Sequence, residues 1–487
     1  MTVPADMHSR EALLSCAGMG ACDRLTIERG TPGFILMLRA GRGAARCIRR
    51  AVRPGRALIA CGPGNNGGDG FVIADDLRAH GWEVRVALLG DRAALRGDAA
   101  EAADLWAGPV EPLTPELLDT ADVLVDALFG AGLARAIEGE AAAFLARAAG
   151  RAASGRLTVA AIDVPSGVHG DTGQVLGTAC PAALTLTFHC RKTGHVLQPG
   201  RRLCGTVRVI DIGIDPAASA AVEPAAEVIR PTLWAGRLPP PGPDDHKYTR
   251  GHVLILAGAM PGAARLAARA ARRQGAGLVT VCAPEAAVPA IAGDAPGLIV
   301  QPPPDDLSAF AAARKVAAVV VGPGLGTGDA ARRLATDALG CGVPTVLDAD
   351  VFSLFAGRAL PGDGPAVLTP HGGEFKRMFP AIDVAALGRV AAVSRAAELS
   401  GRTVLLKGPD TAVAAPDGRC AILDGAPASL ATGGTGDVLA GAIAALLGRG
   451  LAPFEAACAG AWHHAAAARA LGEGPLLAEK LADALTG

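Results

Sequence analysis

Residues 60–74 read ACGPGNNGGDGFVIA and continue the apolar run that starts at Ala57. Glycines stand at 62, 64, 67, 68 and 70, with Asn65, Asn66 and Asp69 among them. Glycine loses more backbone freedom on folding than any other residue. A loop this rich in it therefore needs positive φ angles or a very close approach of backbone to a ligand. A β-rich run, a glycine loop and then a helical run make the opening of a βαβ unit. Amides at the start of such a helix suit phosphate oxygens. The expected helix begins near Asp69 to Phe71, with the amides of residues 64–68 as an anion nest. Taken alone, the stretch has a loose surface turn as its competing reading.

The same grammar recurs through the first half. Apolar runs lie at 57–62, 84–90, 123–130, 157–163, 183–188 and 206–213, with alanine-rich helical stretches such as 139–153 between them. These runs are almost continuously apolar, so both faces of the sheet are expected to be buried, as in a parallel sheet with helices on each side. Residues 10–52 read as helical. The second half repeats the theme at 252–258, 277–283, 316–324, 344–350, 366–371 and 403–408, then adds a hairpin turning at Pro416-Asp417-Gly418. Four prolines within 239–243 continue neither strand nor helix. The expected division is a domain over 1–225, a linker over 226–245 and a domain over 246–487.

The bulk numbers narrow the function. The chain has 487 residues, enough for two full cores, and its net charge is −1. No basic cluster interleaved with aromatics occurs, so nucleic-acid binding has no support. Aromatic residues are only 3 %, so alanine and aliphatic side chains must build the cores. No apolar run reaches the roughly 18 residues of a membrane span. The eleven cysteines are scattered, without a C-x-x-C pair, as in a reduced cytoplasmic protein.

Three polar loops at the carboxyl ends of strands in the first half are expected to converge on one crevice. They are the glycine loop, Asp126 in VDALFGAGL, and Asp163 in IDVPSGVHGDTG. For each aspartate alone, a helix cap or turn former is the competing reading. The set GNNGGDG, DALFGAGL, DVPSG…DTG and TFHCRKTGH resembles the NAD(P)H-hydrate epimerase domain over residues ~10–215. That resemblance implies a Rossmann-like three-layer fold. It implies interconversion of the R and S epimers of NADHX and NADPHX, the coenzymes hydrated at C6 of the nicotinamide ring. It assigns Asn66, Asp126 and Ser166, with backbone carbonyls, to a potassium ion. Asn65, Asn66, Gly67, Gly68 and Asp69, with Gly130, Ala131, Gly132, Leu133, Ala134, Arg135 and Ala136, would line phosphate and ribose. Asp163 would be the acid/base carboxylate. Lys192 would pair with Asp163 or with phosphate, and a surface lysine is the competing reading. The sequence departs from the family at Leu38 and Arg39, where an acidic residue and an asparagine are usual.

In the second half, ATGGTGDVLAGAIAALLG at 431–448 reads as an anion hole at a helix N-terminus. Amides 434–436 would face a transferring phosphoryl group, and Asp437 would take a proton from an attacking hydroxyl. Together, HKYTRG, GPGLG, LDAD, TPHGGE, KGPDT and GGTGD resemble the NAD(P)H-hydrate dehydratases over residues 240–485. The resemblance implies a ribokinase-like α/β fold and dehydration of (S)-NAD(P)HX through phosphorylation of the C6 hydroxyl. ADP would be the donor, going to AMP, with Mg2+. By this resemblance Asp437 is the base, and Gly436 with Lys407, Gly408, Pro409, Asp410 and Thr411 holds the nucleotide. Ala263, Gly324 and His371 line the hydrated coenzyme. For His371 alone a capping role is the stronger reading. Asp348 and Asp350 are metal candidates or caps. The segment 257–263 is shorter than the family's usual loop.

The family implies a homo-oligomer acting on small molecules. Two other readings stay open at this point. One is a ribokinase-like small-molecule kinase with an N-terminal nucleotide-sensing domain. The other makes the N-terminal half a partner-binding scaffold.

Overall fold

A computed structural model describes residues 11–238, 242–293 and 295–486. The chain divides into two compact units, Met1–Glu227 and Val228–Gly487. The expected linker opens as ordered structure, with a strand at Ala226–Val228 and a 3-10 turn at Pro231–Leu233. Prolines 239–241, on which that expectation rested, lie outside the described residues.

In the first unit the strands are β1 (Ala12–Leu14), β2 (Arg56–Cys61), β3 (Glu83–Leu88), β4 (Val110–Pro112), β5 (Val123–Ala127), β6 (Thr158–Ile162), β7 (Leu184–Phe188), β8 (Arg191–Lys192), β9 (Thr206–Ile210) and β10 (Ala226–Val228). Seven of them form one parallel sheet in the order β4-β3-β2-β5-β6-β7-β9. The order reverses between β2 and β5, and a ligand crevice is expected beyond the carboxyl ends there. Alternate residues of β2 feed opposite cores. Ala57, Ile59 and Cys61 join one apolar cluster, Leu58 and Ala60 the other. Both faces are thus buried, which is why these strands lack polar alternation.

The expectation of helix over residues 10–52 needs correction at its start. Residues 12–14 are the strand β1, pairing with β10 and β8. Two helices follow, α1 (Cys16–Glu28) and α2 (Gly33–Ala51). Ser15 caps α1 by accepting from Gly18 N at 2.9 Å, which stops any helix from running through it. On α2, Arg39 donates to the carbonyl of Ile212 at 3.2 Å and ties the helix to the chain beyond β9. Next come α3 (Asn65–Ala79), α4 (Gly97–Leu105), α5 (Gly139–Ala153), α6 (Gly200–Cys204) and α7 (Pro216–Ala220).

In the second unit the strands are β11 (His252–Leu256), β12 (Leu278–Cys282), β13 (Ile299–Gln301), β14 (Val316–Val321), β15 (Thr345–Leu347), β16 (Ala366–Leu368), β17 (Thr403–Leu406), β18 (Ala412–Ala414) and β19 (Cys420–Ile422). They run in the order β13-β12-β11-β14-β15-β16-β17-β18-β19. The first seven are parallel and the last three form an antiparallel meander. The helix Thr435–Gly448 packs on α8 (Pro261–Arg273). Gly441 lets them meet, because a Cβ there would overlap the carbonyl of Ala267. Alanines at 264, 267, 268 and 271 complete that contact, a core made of small side chains at short helix separation. Among the described residues every cysteine is a free thiol, and no helix is long and apolar enough to cross a membrane.

Candidate active sites

The glycine stretch folds differently from expectation. Helix α3 starts at Asn65, so both asparagines sit in its first turn and not in a preceding loop. The glycines serve the protein's own backbone. A Cβ at Gly62 would overlap the carbonyl of Leu128, and one at Gly67 the carbonyl of Gly62. One at Gly68 would lie 2.6 Å from Met37 Sδ, and one at Gly70 2.7 Å from Cys61 Sγ. Only Gly64 faces open space, and none of the five has a positive φ. Close packing of α3 onto β2, β5 and α2 accounts for four of the five.

Beyond this helix start lies a cavity of about 720 Å³, lined by Asn65, Asn66, Asp69, Gly130 to Arg135, Asp163 and Lys192. Ala136, Gly67 and Gly68 are not among its lining residues. Asp126 and Ser166 lie fully buried. The Asp126 carboxylate accepts from Ser166 N at 2.9 Å and from Ser166 Oγ at 2.5 Å. Ser166 Oγ in turn accepts from Phe129 N at 2.9 Å. No cationic side chain pairs with Asp126 among the described residues, and burial raises its pKa.

Asp163 is held from every side. Its φ is +65°, a conformation a non-glycine residue rarely adopts. One carboxylate oxygen accepts from Ala131 N at 2.8 Å. The other accepts from Lys192 Nζ at 2.6 Å and from Thr187 Oγ1 at 3.0 Å. Its carbonyl accepts from His195 Nε2 at 2.7 Å, while His195 Nδ1 accepts from Lys192 N at 2.9 Å. Burial, with Lys192 and Arg191, pushes the His195 pKa down to about 4 against the opposing pull of Asp163, so the ring stays neutral in this role. Burial alone would raise the Asp163 pKa. Lys192 and the hydrogen bonds outweigh it and leave the carboxyl at about 2. Asp163 is therefore ionised at neutral pH, the form in which a carboxylate accepts a proton.

The groups near neutrality are others. Asp23 on α1 lines the same cavity, and burial lifts its pKa to about 6. Asp69 is raised well above the usual carboxylate range by burial, Asp163 and Asp23. Asp23, Thr187 and His195 were not singled out from sequence. Thr187 and His195 flank Lys192 in the segment TFHCRKTGH, which was the available signal.

In the second unit the order reverses between β11 and β14, and Ala263 and Gly324 meet at that point. A Cβ on Gly324, whose φ is +63°, would lie 3.3 Å from that of Ala263. Lys407 follows β17 directly and donates to Asp348 Oδ1 at 2.7 Å, with Glu374 Oε2 at 3.8 Å. A Cβ on Gly436 would lie 3.3 Å from Lys407 Nζ and 3.7 Å from Asp348 Oδ2, so the GTGD turn sits on this pair. Asp437 feels all of them. Burial and the nearby Asp348 lift its pKa to about 6, although Lys407 pulls it down. Burial likewise works against charge on Lys407, but the surrounding carboxylates outweigh it and raise its pKa.

Other expected members have structural duties. Asp410 is buried and paired with Arg389 Nε at 3.0 Å. Thr411 Oγ1 donates to the carbonyl of Gly408 at 2.9 Å, closing the loop on itself and leaving Pro409 exposed. Asp350 accepts from Gly326 N at 2.8 Å. His371 caps the helix Gly372–Met378. Its Nδ1 accepts from Gly373 N at 3.0 Å and Glu374 N at 3.3 Å, and Glu374 returns the bond to His371 N at 2.8 Å.

Known proteins match both halves. A family model described as NAD(P)H-hydrate dehydratase matches residues 253–486, and one described as YjeF-related protein N-terminus matches residues 33–194. The bifunctional NAD(P)H-hydrate repair enzyme of Salinibacter ruber is 39 % identical over 92 % of this chain and 90 % of its own. The chain belongs to the bifunctional NAD(P)H-hydrate repair enzyme family. The Coxiella burnetii member is 36 % identical and covers 93 % of each chain. A solved ADP/ATP-dependent NAD(P)H-hydrate dehydratase from Bacillus subtilis, co-crystallised with ATP/Mg2+, is 33 % identical over 51 % of this chain and 92 % of its own, at a TM-score of 0.46. The chain is accordingly a bifunctional NAD(P)H-hydrate epimerase and dehydratase.

Proposed function

We infer that this chain restores hydrated nicotinamide coenzymes in two steps. The first unit interconverts (R)- and (S)-NAD(P)HX, and the second dehydrates the S epimer at the expense of ADP, releasing AMP and phosphate. The observation that carries the reading is Asp163, clamped by Lys192, Thr187 and Ala131 N on the wall of the cavity, with Asp437 beside Lys407 and Asp348 in the second unit.

The hydrated carbon bears a hydroxyl and is bonded to the ring nitrogen. Breaking the C–O bond and re-forming it on the other face inverts that carbon. Cleavage leaves positive charge on the ring, which the Asp163 anion stabilises. The departing oxygen needs a proton, and Asp23, near neutrality on the same cavity wall, supplies it and takes it back. Potassium fits the Asp126 pocket. A buried carboxylate without a cationic partner calls for a counter-charge. The Asn66 amide, which donates to the Ile162 carbonyl and accepts from Gly130 N at 3.3 Å each, stands at the start of α3. Asn66, Asp126 and Ser166 would hold the ion, and its charge would steady the loop that donates Ala131 N to Asp163.

At the second site Asp437 accepts the proton of the C6 hydroxyl as its oxygen attacks the terminal phosphorus of ADP. Lys407 and the amides around Gly436 offset the charge on the transferred group. Phosphate then leaves C6, the C5 proton is lost, and the ring double bond returns. Magnesium fits as an ion that arrives with the nucleotide. Such an ion would be held largely by the phosphates of the nucleotide. Ala263, Gly324 and His371 would face the hydrated ring, and the turn at 407–411 the nucleotide. We place the enzyme in the cytoplasm as a homo-oligomer.

The deciding experiment incubates the purified chain with both NADHX epimers, Mg2+, K+ and ADP or ATP, and follows the return of NADH absorbance. Recovery of both epimers is expected. Recovery of the S share alone would remove the epimerase, and no recovery with either nucleotide would remove the reading.

A further inference from the structure

A second cleft, of about 760 Å³, opens beside the amino ends of β11 and β12. Asp437, Lys407 and Gly324 lie at the carboxyl side of this same parallel sheet, so roughly 16 Å of strand separates the two places. Lys247, Arg250, Arg269, Arg272 and Arg273 line the cleft, against the carboxylates of Asp245 and Asp483. Asp483 is already engaged. Its oxygens accept from Arg269 Nε and Nη2 at 2.7 and 2.6 Å, and its carbonyl accepts from Arg273. Lys247, Arg250 and Arg272 make no ion pair among the described residues.

The charges are crowded as well as numerous. A Cβ at Gly275 would lie 3.2 Å from Arg449 Nη1 and 3.5 Å from Arg250 Nη2, so two guanidinium groups converge on one point. Such an approach is repulsive unless an anion lies between or beside them. Burial and Arg250 together lower the pKa of Arg449, although Asp245 opposes this. The backbone under these side chains is fixed. Gly277 N bonds the carbonyls of Arg250 and Gly251 at 3.2 and 3.0 Å, and a Cβ at Gly277 would overlap the carbonyl of Lys247. Arg272 Nη2 lies across Gly297, where a Cβ would come within 2.7 Å. Arg272 and Arg273 offset the carboxyl-end dipole of α8. Lys247 and Arg250 come from another segment and have no such task.

We propose that this cleft is a second ligand site, separate from catalysis, that binds the diphosphate group of a small metabolite. Guanidinium forks match the paired oxygens of a diphosphate, and the cleft has the size of small-molecule sites. The diphosphate can be free pyrophosphate or the bridge of a nucleotide. The site stands on its own geometry and does not depend on the two activities proposed above.

Calorimetric titration of the full chain in Mg2+-free buffer tests it, with inorganic pyrophosphate and with ADP as separate arms. Saturable pyrophosphate binding is expected, weakened about tenfold or more in the R250Q/R272Q variant, less in K247Q, and unchanged in D437N. Two classes of ADP site, one lost in R250Q/R272Q, identify nucleotides as the source. Loss confined to the pyrophosphate arm identifies the free anion. No saturable binding in either arm, or equal binding by wild type and both cleft variants, overturns the proposal. So does a change of oligomeric state in R250Q/R272Q without anion binding, which would make the cleft a contact between copies.

Discussion

Lys192 Nζ sits 2.6 Å from Asp163 Oδ1, with the lysine side chain only 3 % exposed. The pair is therefore a buried ion pair that joins the end of β6 to β8. Removing the lysine strands a buried carboxylate, which costs about 3–5 kcal/mol. Lys192→Met should lower stability by that order in denaturant titration and abolish consumption of the R epimer. In the wild type the folded Asp163 pKa is depressed, so its stabilisation is present above the ordinary carboxylate pKa and is lost as pH falls from about 4 towards about 2. Lys192→Met should lose that acid-limb dependence.

Asp437 behaves in the opposite sense. Its folded pKa is raised, so the base is unavailable below about pH 6, and dehydration should rise with pH through that value. Asp437→Asn should cut dehydration by roughly 10²–10⁴-fold and spare epimerisation. A raised carboxyl favours folding only while protonated, so the variant should gain on the order of 1–3 kcal/mol at neutral pH. Parallel rate and melting profiles of both proteins check both halves. Equal loss of the two activities would contradict separate sites.

Asp126→Asn keeps shape and most hydrogen bonding at Ser166 but removes the negative charge. Epimerase activity should then lose its response to potassium. Rates measured across a potassium series against a choline control read this directly. A retained response would place the cation elsewhere.

Two glycines of the opening stretch separate packing from ligand contact. Gly67→Ala drives a Cβ into the carbonyl of Gly62 and should destabilise by about 2 kcal/mol or more. Gly64→Ala meets nothing within 4 Å and should leave the melting temperature almost unchanged. Any effect of the second substitution should appear in the Michaelis constant for the hydrated coenzyme.

Much of the scaffold was readable because buried parallel strands are long apolar runs bounded by glycine. All twelve such runs contain strands, and the helix over 139–153 lies where its alanine pattern put it. The strands Val110–Pro112 and Ile299–Gln301 escaped because three residues at a sheet edge carry no periodic signal. The glycines of residues 62–70 announced a close approach but not to what. Only the fold shows that Leu128 and Gly62 lie against Gly62 and Gly67, whereas Gly64 and both asparagines line the cavity. Likewise Asp410 gave no hint that Arg389, twenty-one positions earlier, neutralises it. Local motifs located the carboxylates, whereas their ionisation depends on partners brought together by tertiary structure.

The cap made by His371 has a chemical corollary. With Nδ1 occupied by two backbone amides, the ring proton belongs on Nε2. The exposed edge of the imidazole is therefore a donor and cannot accept. Whatever meets it must bring a lone pair, such as a carboxamide or phosphate oxygen. A ligand offering only an N–H group at that point would be turned away by a preference written into the first turn of a helix.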